Sequence, residues 1–107
     1  TSKNKKILVN LALNYGSKKE LINTFKKIKS KKITENNVKN NLYTKNIPDP
    51  DILIRTGGKK RLSNFMLWQL AYAELYFLDK LWPDFMPRDL NKILKHFYNT
   101  KRNYGGI

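Results

Sequence analysis

The hydrophobic pattern of the chain begins with a nearly continuous apolar run from Lys5 to Leu13, which predicts a strand that is covered on both faces. Asn14-Tyr15-Gly16 predicts a turn after this strand. Ser17 and Glu20 have the spacing of a capping box, so a helix is expected to begin there and to end near Lys31. The apolar stripe of this helix consists of Leu21, Phe25 and Ile28.

The stretch from Ile33 to Pro50 is polar and rich in asparagine, which is typical of a loop. It has room for one short helix, which would begin at Thr34 and run through Val38 towards Leu42. The prolines at the end of the stretch favour an extended entry into the next element.

Ile52-Leu53-Ile54 is a β-branched-rich run with the length of a buried strand. Arg55-Thr56-Gly57-Gly58 follows as a turn of the kind that glycine tolerates best. From Asn64 to Glu74 the sequence is apolar nearly all round, which predicts a buried helix that Ser63 caps.

The last third of the chain predicts a short strand over Leu75–Leu78 and a rigid aromatic turn over Trp82–Phe85. Pro87 favours the first turn of a final helix that runs to about Thr100. His96 lies off its apolar stripe and has no second ligand at metal-binding spacing, so we interpret it as a surface or packing residue. The stripe itself consists of Leu90, Ile93, Leu94 and Phe97.

These elements predict two or three parallel strands with helices, an α/β arrangement in which a right-handed crossover joins the first two strands. A chain of 107 residues accommodates one domain at most. It contains no cysteine, and none of its apolar runs approaches the ~20 residues of a membrane span. It shows no signal-peptide pattern, although its first residue is not Met.

A strand, a glycine turn, basic residues and the amino terminus of the predicted helix together suggest an anion site. The free N–H groups at a helix start carry partial positive charge. Arg55 and Arg61 supply forked donors that suit phosphate, and Ser63 can either cap the predicted helix or donate to a phosphate oxygen. The spacing is not that of a P-loop. A basic loop that is merely capped by a serine remains equally compatible with these residues.

A net charge of +14 raises the possibility of a nucleic-acid partner. However, 18 of the 22 basic residues are lysines, many of them in Lys- and Asn-rich stretches, which a compositional bias alone would produce. A nucleic-acid module would also interleave aromatic and basic residues on an exposed face, whereas the aromatic residues here fall in stripes predicted to be buried. Binding to an anionic long-chain lipid or to an acidic membrane surface explains this positive charge better than binding to a nucleic acid.

The region from Ile54 to Phe85 contains several motifs at fixed spacing. They are Ile54-Arg55-Thr56-Gly57-Gly58, Arg61-Leu62-Ser63-Asn64-Phe65, Leu67-Trp68-Gln69, Tyr72-Ala73-Glu74-Leu75-Tyr76-Phe77 and Trp82-Pro83-Asp84-Phe85. The series resembles the signature of the cis-prenyltransferases, the family of undecaprenyl and dehydrodolichyl diphosphate synthases. The resemblance extends upstream to Asn10–Gly16 and downstream to Tyr104-Gly105-Gly106.

The resemblance implies a central, mostly parallel sheet flanked by helices, with residues 1–107 forming the C-terminal half of a single catalytic domain. The family's phosphate loop, an Asp-Gly-Asn-Gly-Arg segment with the essential aspartate, belongs to the N-terminal half, and no Asp-Gly pair occurs in this sequence. We therefore expect this chain alone to be inactive.

The resemblance also implies a reaction, the Mg²⁺-dependent condensation of isopentenyl diphosphate with an allylic diphosphate. The product would be a cis-polyprenyl diphosphate, a precursor of a carrier lipid or of dolichol. The implied magnesium ligand is Glu74. The implied ligands of isopentenyl diphosphate are Arg55, Gly57, Gly58, Arg61, Leu62 and Ser63.

A homodimer packed through the long apolar segment is implied, with Trp68 and Tyr72 as core or dimer contacts. Some relatives are heterodimers, so a non-catalytic accessory subunit stays open as an alternative. The sequence does not identify the compartment; we expect a location that is cytoplasmic or peripheral to an internal membrane.

Two positions depart from the family pattern. Lys59 and Lys60 stand where the family often has an acidic residue, and they add positive charge beside the expected diphosphate. Asn103 stands where an arginine of the family often reaches towards the partner subunit, with Arg102 one position earlier.

Overall fold

A computed structural model describes residues 7–28 and 32–101 of the chain. The helices are α1 (Ser17–Ile28), α2 (Glu35–Lys39) and α3 (Pro87–Asn99), and the strands are β1 (Ile52–Arg55) and β2 (Glu74–Phe77). The two strands pair in parallel, which confirms the predicted α/β class. No helix within the described ranges is both long enough and apolar enough to span a membrane.

The pairing register decides which residues are neighbours in the sheet. Ile52 lies beside Glu74, and Arg55 lies beside Phe77. Because the strands are parallel, Arg55 stands at the carboxyl end of the pair and Glu74 at the amino end. The two strands that the sequence predicts for this region are thus confirmed.

The predicted strand over Lys5–Leu13 is wrong for the part that the structure describes. Residues 7–13 pair with no other strand among the described residues. Their large apolar side chains are 74–83% exposed, so the run is not buried on both faces as its apolar sequence predicts. The neighbour of β1 is therefore β2, and the predicted crossover from the first strand to β1 is not formed among the described residues.

Helix α1 forms where it was predicted, but its inner face is polar. The side chains of Ser17, Glu20 and Thr24 are fully buried, and Ile28 is 3% exposed. The expected capping box is absent, because Ser17 Oγ accepts from the Leu67 N–H at 2.9 Å instead of capping its own helix. Residues 29–31, where the helix was expected to end, lie outside the described residues.

A small apolar cluster lies where α1 meets α2. It consists of Ile28, Val38 and Leu42, and Leu21 and Trp68 pack against it while remaining partly buried. The Thr34 hydroxyl accepts from the Asn37 N–H at 3.2 Å and caps α2, as its sequence favours.

The predicted buried helix from Asn64 to Glu74 is also wrong, since this segment is a series of turns that leads into β2. Three non-glycine residues adopt left-handed backbone conformations, with φ of 50° at Ser63, 63° at Asn64 and 45° at Met66. Such residues interrupt an α-helix because its bonding pattern requires negative φ at every position. We refer to residues 61–72 as the clamp loop.

In the C-terminal part, α3 contacts β2 through the His96 ring, which lies edge-on to the Tyr76 ring at 5.6 Å. Trp82 and Phe85 stack at 5.7 Å in the expected aromatic turn, which is a short 3-10 helix. Lys80 Nζ donates to both Asp89 carboxylate oxygens, at 2.9 and 2.8 Å. The Lys80 bonds and another one from the Met86 N–H lower the pKa of Asp89.

His96 is an exposed packing residue, with its Nδ1 2.9 Å from the Tyr76 hydroxyl.

Candidate anion-binding site

Strand β1 delivers Arg55 to the carboxyl end of the sheet, the end at which open α/β sheets place their ligands. The Arg55 guanidinium donates through Nη1 to Ser63 Oγ at 2.9 Å and to the backbone carbonyl of Arg61. The arginine and the clamp loop therefore hold each other in place. Ser63 acts as a partner of Arg55, and it cannot cap a helix because no helix begins there.

The glycine turn after β1 is fixed by backbone bonds. The Gly57 N–H donates to the Lys80 carbonyl and the Gly58 N–H to the Leu78 carbonyl, each at 2.9 Å. Both glycines have positive φ, 87° and 71°, which an L side chain rarely adopts. A Cβ added at Gly57 would meet no atom within 4 Å apart from those of its chain neighbours, so there is open space beside it.

The positive charge of this site is carried by side chains. A helix amino terminus was expected to add backbone donors, but the turns of the clamp loop provide none in helical alignment. Lys59, Lys60 and Arg61 are exposed, and Arg61 lines the same small cavity as Arg55. A cavity of about 220 Å³ opens there, lined by Leu53, Ile54, Arg55, Arg61, Leu62 and Phe65. Cations at the rim of a partly apolar cavity suit a ligand with an anionic head and a hydrocarbon body.

A larger cavity of about 760 Å³ lies between α2 and the far side of the clamp loop. Its lining includes the carboxylates of Glu35, Asp49 and Asp51. Lys39 neutralises one of them through an ion pair with Asp49 at 2.9 Å. The lining thus contains three carboxylates and one lysine. This net negative charge disfavours an anion, so the smaller cavity beside Arg55 is the better candidate despite its size.

Glu74 is not brought together with Arg55, Arg61 and Ser63. It pairs with Ile52, three residues before Arg55, which places it ~10 Å away along the strand direction at ~3.3 Å per residue. Alternation along the strands also puts Glu74 and Arg55 on opposite faces of the sheet. Burial of the Tyr76 hydroxyl raises the pKa of that tyrosine, and the negative charge of the nearby Glu74 carboxylate raises it further.

Other predicted positions have mixed outcomes. Trp68 packs partly against the apolar cluster, whereas Tyr72 is 55% exposed. Arg102, Asn103 and the Tyr104-Gly105-Gly106 motif lie outside the described residues. The residues in ranges 7–28 and 32–101 contain no group of three or more histidine, aspartate or glutamate side chains placed to hold a metal ion.

A buried polar centre that was not predicted from the sequence anchors the clamp loop. The fully buried Glu20 carboxylate accepts from the Tyr43 N–H at 2.8 Å, from Gln69 Nε2 at 3.2 Å and from the Tyr15 hydroxyl. Burial of the Tyr15 hydroxyl, together with its bond to Glu20, raises the pKa of that tyrosine. The signal available in the sequence was Gln69, a lone amide within the apolar run Leu67–Ala71.

Comparisons with known proteins identify the family of the chain. The family described as putative undecaprenyl diphosphate synthase matches residues 1–105. An isoprenyl transferase of Oceanobacillus iheyensis is 45% identical over 116 residues, covering 100% of this chain and 46% of that protein. One of Helicobacter pylori is 48% identical over 105 residues, covering 91% of this chain and 45% of that protein.

Solved structures show the same relationship. A probable undecaprenyl diphosphate synthase from Campylobacter jejuni superimposes with a TM-score of 0.80 at 40% identity, covering 91% of this chain and 47% of that one. A lavandulyl diphosphate synthase from Lavandula x intermedia, in complex with dimethylallyl diphosphate, has a TM-score of 0.78 at 38% identity over 86% of this chain and 44% of that one. The chain spans about half the length of the curated relatives that it matches. Because both the family match and the structural likeness extend over most of its residues, the chain belongs to the undecaprenyl diphosphate synthase family, the cis-prenyltransferases.

Proposed function

We propose that this chain carries the isopentenyl diphosphate site of a cis-prenyltransferase. The observation that supports it most is the bond from Arg55 to Ser63 at 2.9 Å, which gathers a guanidinium and a hydroxyl at the carboxyl end of β1. Arg61, at the rim of the same cavity, supplies a second guanidinium. The diphosphate would bind these groups, and the isopentenyl tail would lie against Leu62 and Phe65.

The reaction we infer is the condensation of isopentenyl diphosphate with an allylic diphosphate to a cis-polyprenyl diphosphate. It would serve the synthesis of a carrier lipid or dolichol. One relative in the comparisons is described with an allylic ligand, dimethylallyl diphosphate. In this chain, Arg55 and Arg61 would neutralise and orient the diphosphate of the attacking substrate. Correct placement of the two reactants accounts for much of the rate acceleration in a reaction of this kind. The open space beside Gly57 admits the phosphate close to the backbone.

Magnesium is the cofactor that we propose, with Glu74 as one ligand. Mg²⁺ prefers oxygen ligands and is often held by one or two carboxylates together with substrate phosphates, so a single carboxylate fits as part of a site. When bound, the ion would offset diphosphate charge. Because Glu74 lies at the opposite end of the strand pair from Arg55, it would hold the ion away from the clamp of its own chain. We further propose a homodimer, in the cytoplasm or on the surface of an internal membrane.

Calorimetric titration of isopentenyl diphosphate into the chain, with and without Mg²⁺, tests this proposal. Arg55→Ala should abolish binding, and the matched variant Arg88→Ala, at an exposed arginine of α3, should bind like the wild type. Glu74→Ala should remove only the magnesium dependence, because in the proposed homodimer Glu74 of one subunit would hold the ion beside the diphosphate bound to the clamp of its partner. Absence of binding by a folded wild-type chain would contradict the proposal and favour the accessory-subunit alternative.

A further inference from the structure

We propose that Asn64 is a positioning residue, which α1 holds so that Ser63 stays within reach of Arg55 and of the diphosphate. The inference rests on the proposed function, since it names what keeps the same site in order. Asn64 directly follows Ser63 in the clamp loop, so the placement of its backbone decides where the Ser63 hydroxyl lies.

The amino terminus of α1 forms the contacts that hold this part of the loop. The Ser17 N–H donates to the Asn64 backbone carbonyl, and the Lys18 N–H donates to Asn64 Oδ1, both at 2.8 Å. The Leu67 N–H donates to the fully buried Ser17 Oγ at 2.9 Å. These bonds join residues that are 46 to 50 positions apart in the sequence.

The backbone of the clamp loop needs such contacts. Ser63, Asn64 and Met66 have φ between 45° and 63°, in the left-handed region that side chains disfavour. Asparagine tolerates this region better than serine or methionine. A disfavoured backbone persists only where its surroundings determine it, and α1 provides those surroundings.

The same bonds disfavour a simpler use of the helix terminus. Free N–H groups at the start of a helix can bind an anion directly. Here the Ser17 and Lys18 N–H groups are taken by Asn64, and the Glu20 N–H donates to the Gly16 carbonyl at 3.0 Å. The terminus of α1 therefore acts on the ligand through the loop.

A substitution at Gly16 tests directly whether the Asn64 amide positions the clamp loop. A Cβ added at Gly16 would lie 2.9 Å from Asn64 Nδ2, and its other near neighbour, at 4.0 Å, is Cγ of the same amide. Gly16→Ala therefore acts on the loop by displacing the Asn64 amide. Asn64→Gly removes that amide but suits the left-handed backbone.

The experiment is a double-mutant cycle on the full chain, read by the Kd for isopentenyl diphosphate. Asn64→Gly should weaken binding about fivefold, the worth of roughly one hydrogen bond. Gly16→Ala should weaken binding by a similar or smaller factor alone and have no effect in the Asn64→Gly background. The control Asn46→Gly, at an exposed turn residue, should bind like the wild type.

A second measurement needs no ligand. The NMR signals of the Arg55 guanidinium report its bond to Ser63, and they should shift in Asn64→Gly and in Gly16→Ala but stay unchanged in Asn46→Gly. A residue that served only overall stability would lower the melting temperature and leave the Arg55 signals of the folded protein in place.

The outcomes separate the two proposals. If Arg55→Ala still binds, the proposed function is wrong and this inference fails with it. If Arg55→Ala loses binding while Asn64→Gly matches the wild type in both Kd and Arg55 signals, the inference alone is overturned. It is also overturned if Gly16→Ala weakens binding equally with and without the Asn64 side chain.

Discussion

Two polar regions hold the clamp loop, and they differ in their exposure to water. On the inner face of α1, Ser17 and Glu20 are fully buried and hydrogen-bonded. At the end of β1, Arg55 is half-buried and its partner Ser63 is exposed. Buried polar groups cost much free energy when they lose a partner, whereas exposed ones exchange the partner for water. We therefore expect substitutions in the first region to affect folding and those in the second to affect binding.

The largest effect on stability is expected from Glu20→Ala. The change leaves the Tyr43 N–H and the Gln69 amide without their acceptor in a buried place. We expect the free energy of unfolding to fall by about 3 kcal/mol, measured by urea denaturation. The matched variant Glu35→Ala, at an exposed glutamate, should cost less than about 0.5 kcal/mol. Equal losses in the two variants would remove the distinction between the regions.

Gln69→Met should have an intermediate effect. The amide donates to Glu20 and to Thr44 Oγ1 at 3.0 Å, while its buried Oε1 has no hydrogen-bond partner among the described residues. Methionine removes both the useful donors and the unsatisfied oxygen, so we expect a loss of only about 1–2 kcal/mol in urea denaturation. A loss as large as that of Glu20→Ala would show that the amide is the centre of the network.

Tyr15 makes the buried region sensitive to base. Its folded-state pKa lies above the ordinary value of 10.0, so the protonated hydroxyl favours the folded state. This contribution is complete below pH 10 and is lost as the pH rises through the raised pKa. Urea midpoints measured from about pH 9 upwards should fall more steeply for the wild type than for Tyr15→Phe. Tyr98→Phe, at a tyrosine that is 78% exposed, should leave the steepness unchanged.

The smallest effect on stability is expected from Arg55→Lys. Lysine keeps the charge but lacks the planar fork that serves Ser63 and the Arg61 carbonyl. The free energy of unfolding should change by less than about 0.5 kcal/mol, whereas the Kd for isopentenyl diphosphate should rise about tenfold. Calorimetry beside Arg88→Lys checks both values. A large loss of stability would place Arg55 with the buried region.

The elements that the sequence predicted correctly are those whose signals are local. Helix α3 begins at the proline that favours a first turn. Strand β1 coincides with the β-branched run that comes after two prolines. The residues that we propose as diphosphate ligands at the end of β1 were named from the sequence through its resemblance to the cis-prenyltransferases, and their role as ligands stays a prediction. That three of them meet in space is visible in the bonds of Arg55 to Ser63 and Arg61.

The errors arose where distant residues decide the backbone. Apolar content predicted a helix over the clamp loop, but the Leu67 N–H is taken by Ser17 and the Asn64 carbonyl by the Ser17 N–H. Glu20 has the spacing of a helix cap, yet its carboxylate bonds to Tyr43 and Gln69. A pattern within one segment contains no information about such partners.

The sequence by itself determined the class of the fold, the type of three helices and two strands, and the chemical identity of the groups at the end of β1. Spacing along the chain suffices for these, because neighbouring residues make a helix turn or a strand. Only the tertiary structure decided that the clamp loop is left-handed at three residues and that Glu74 stands at the opposite end of the sheet from Arg55. Both depend on strand register and on hydrogen bonds between residues far apart in sequence, which form only when the chain has folded.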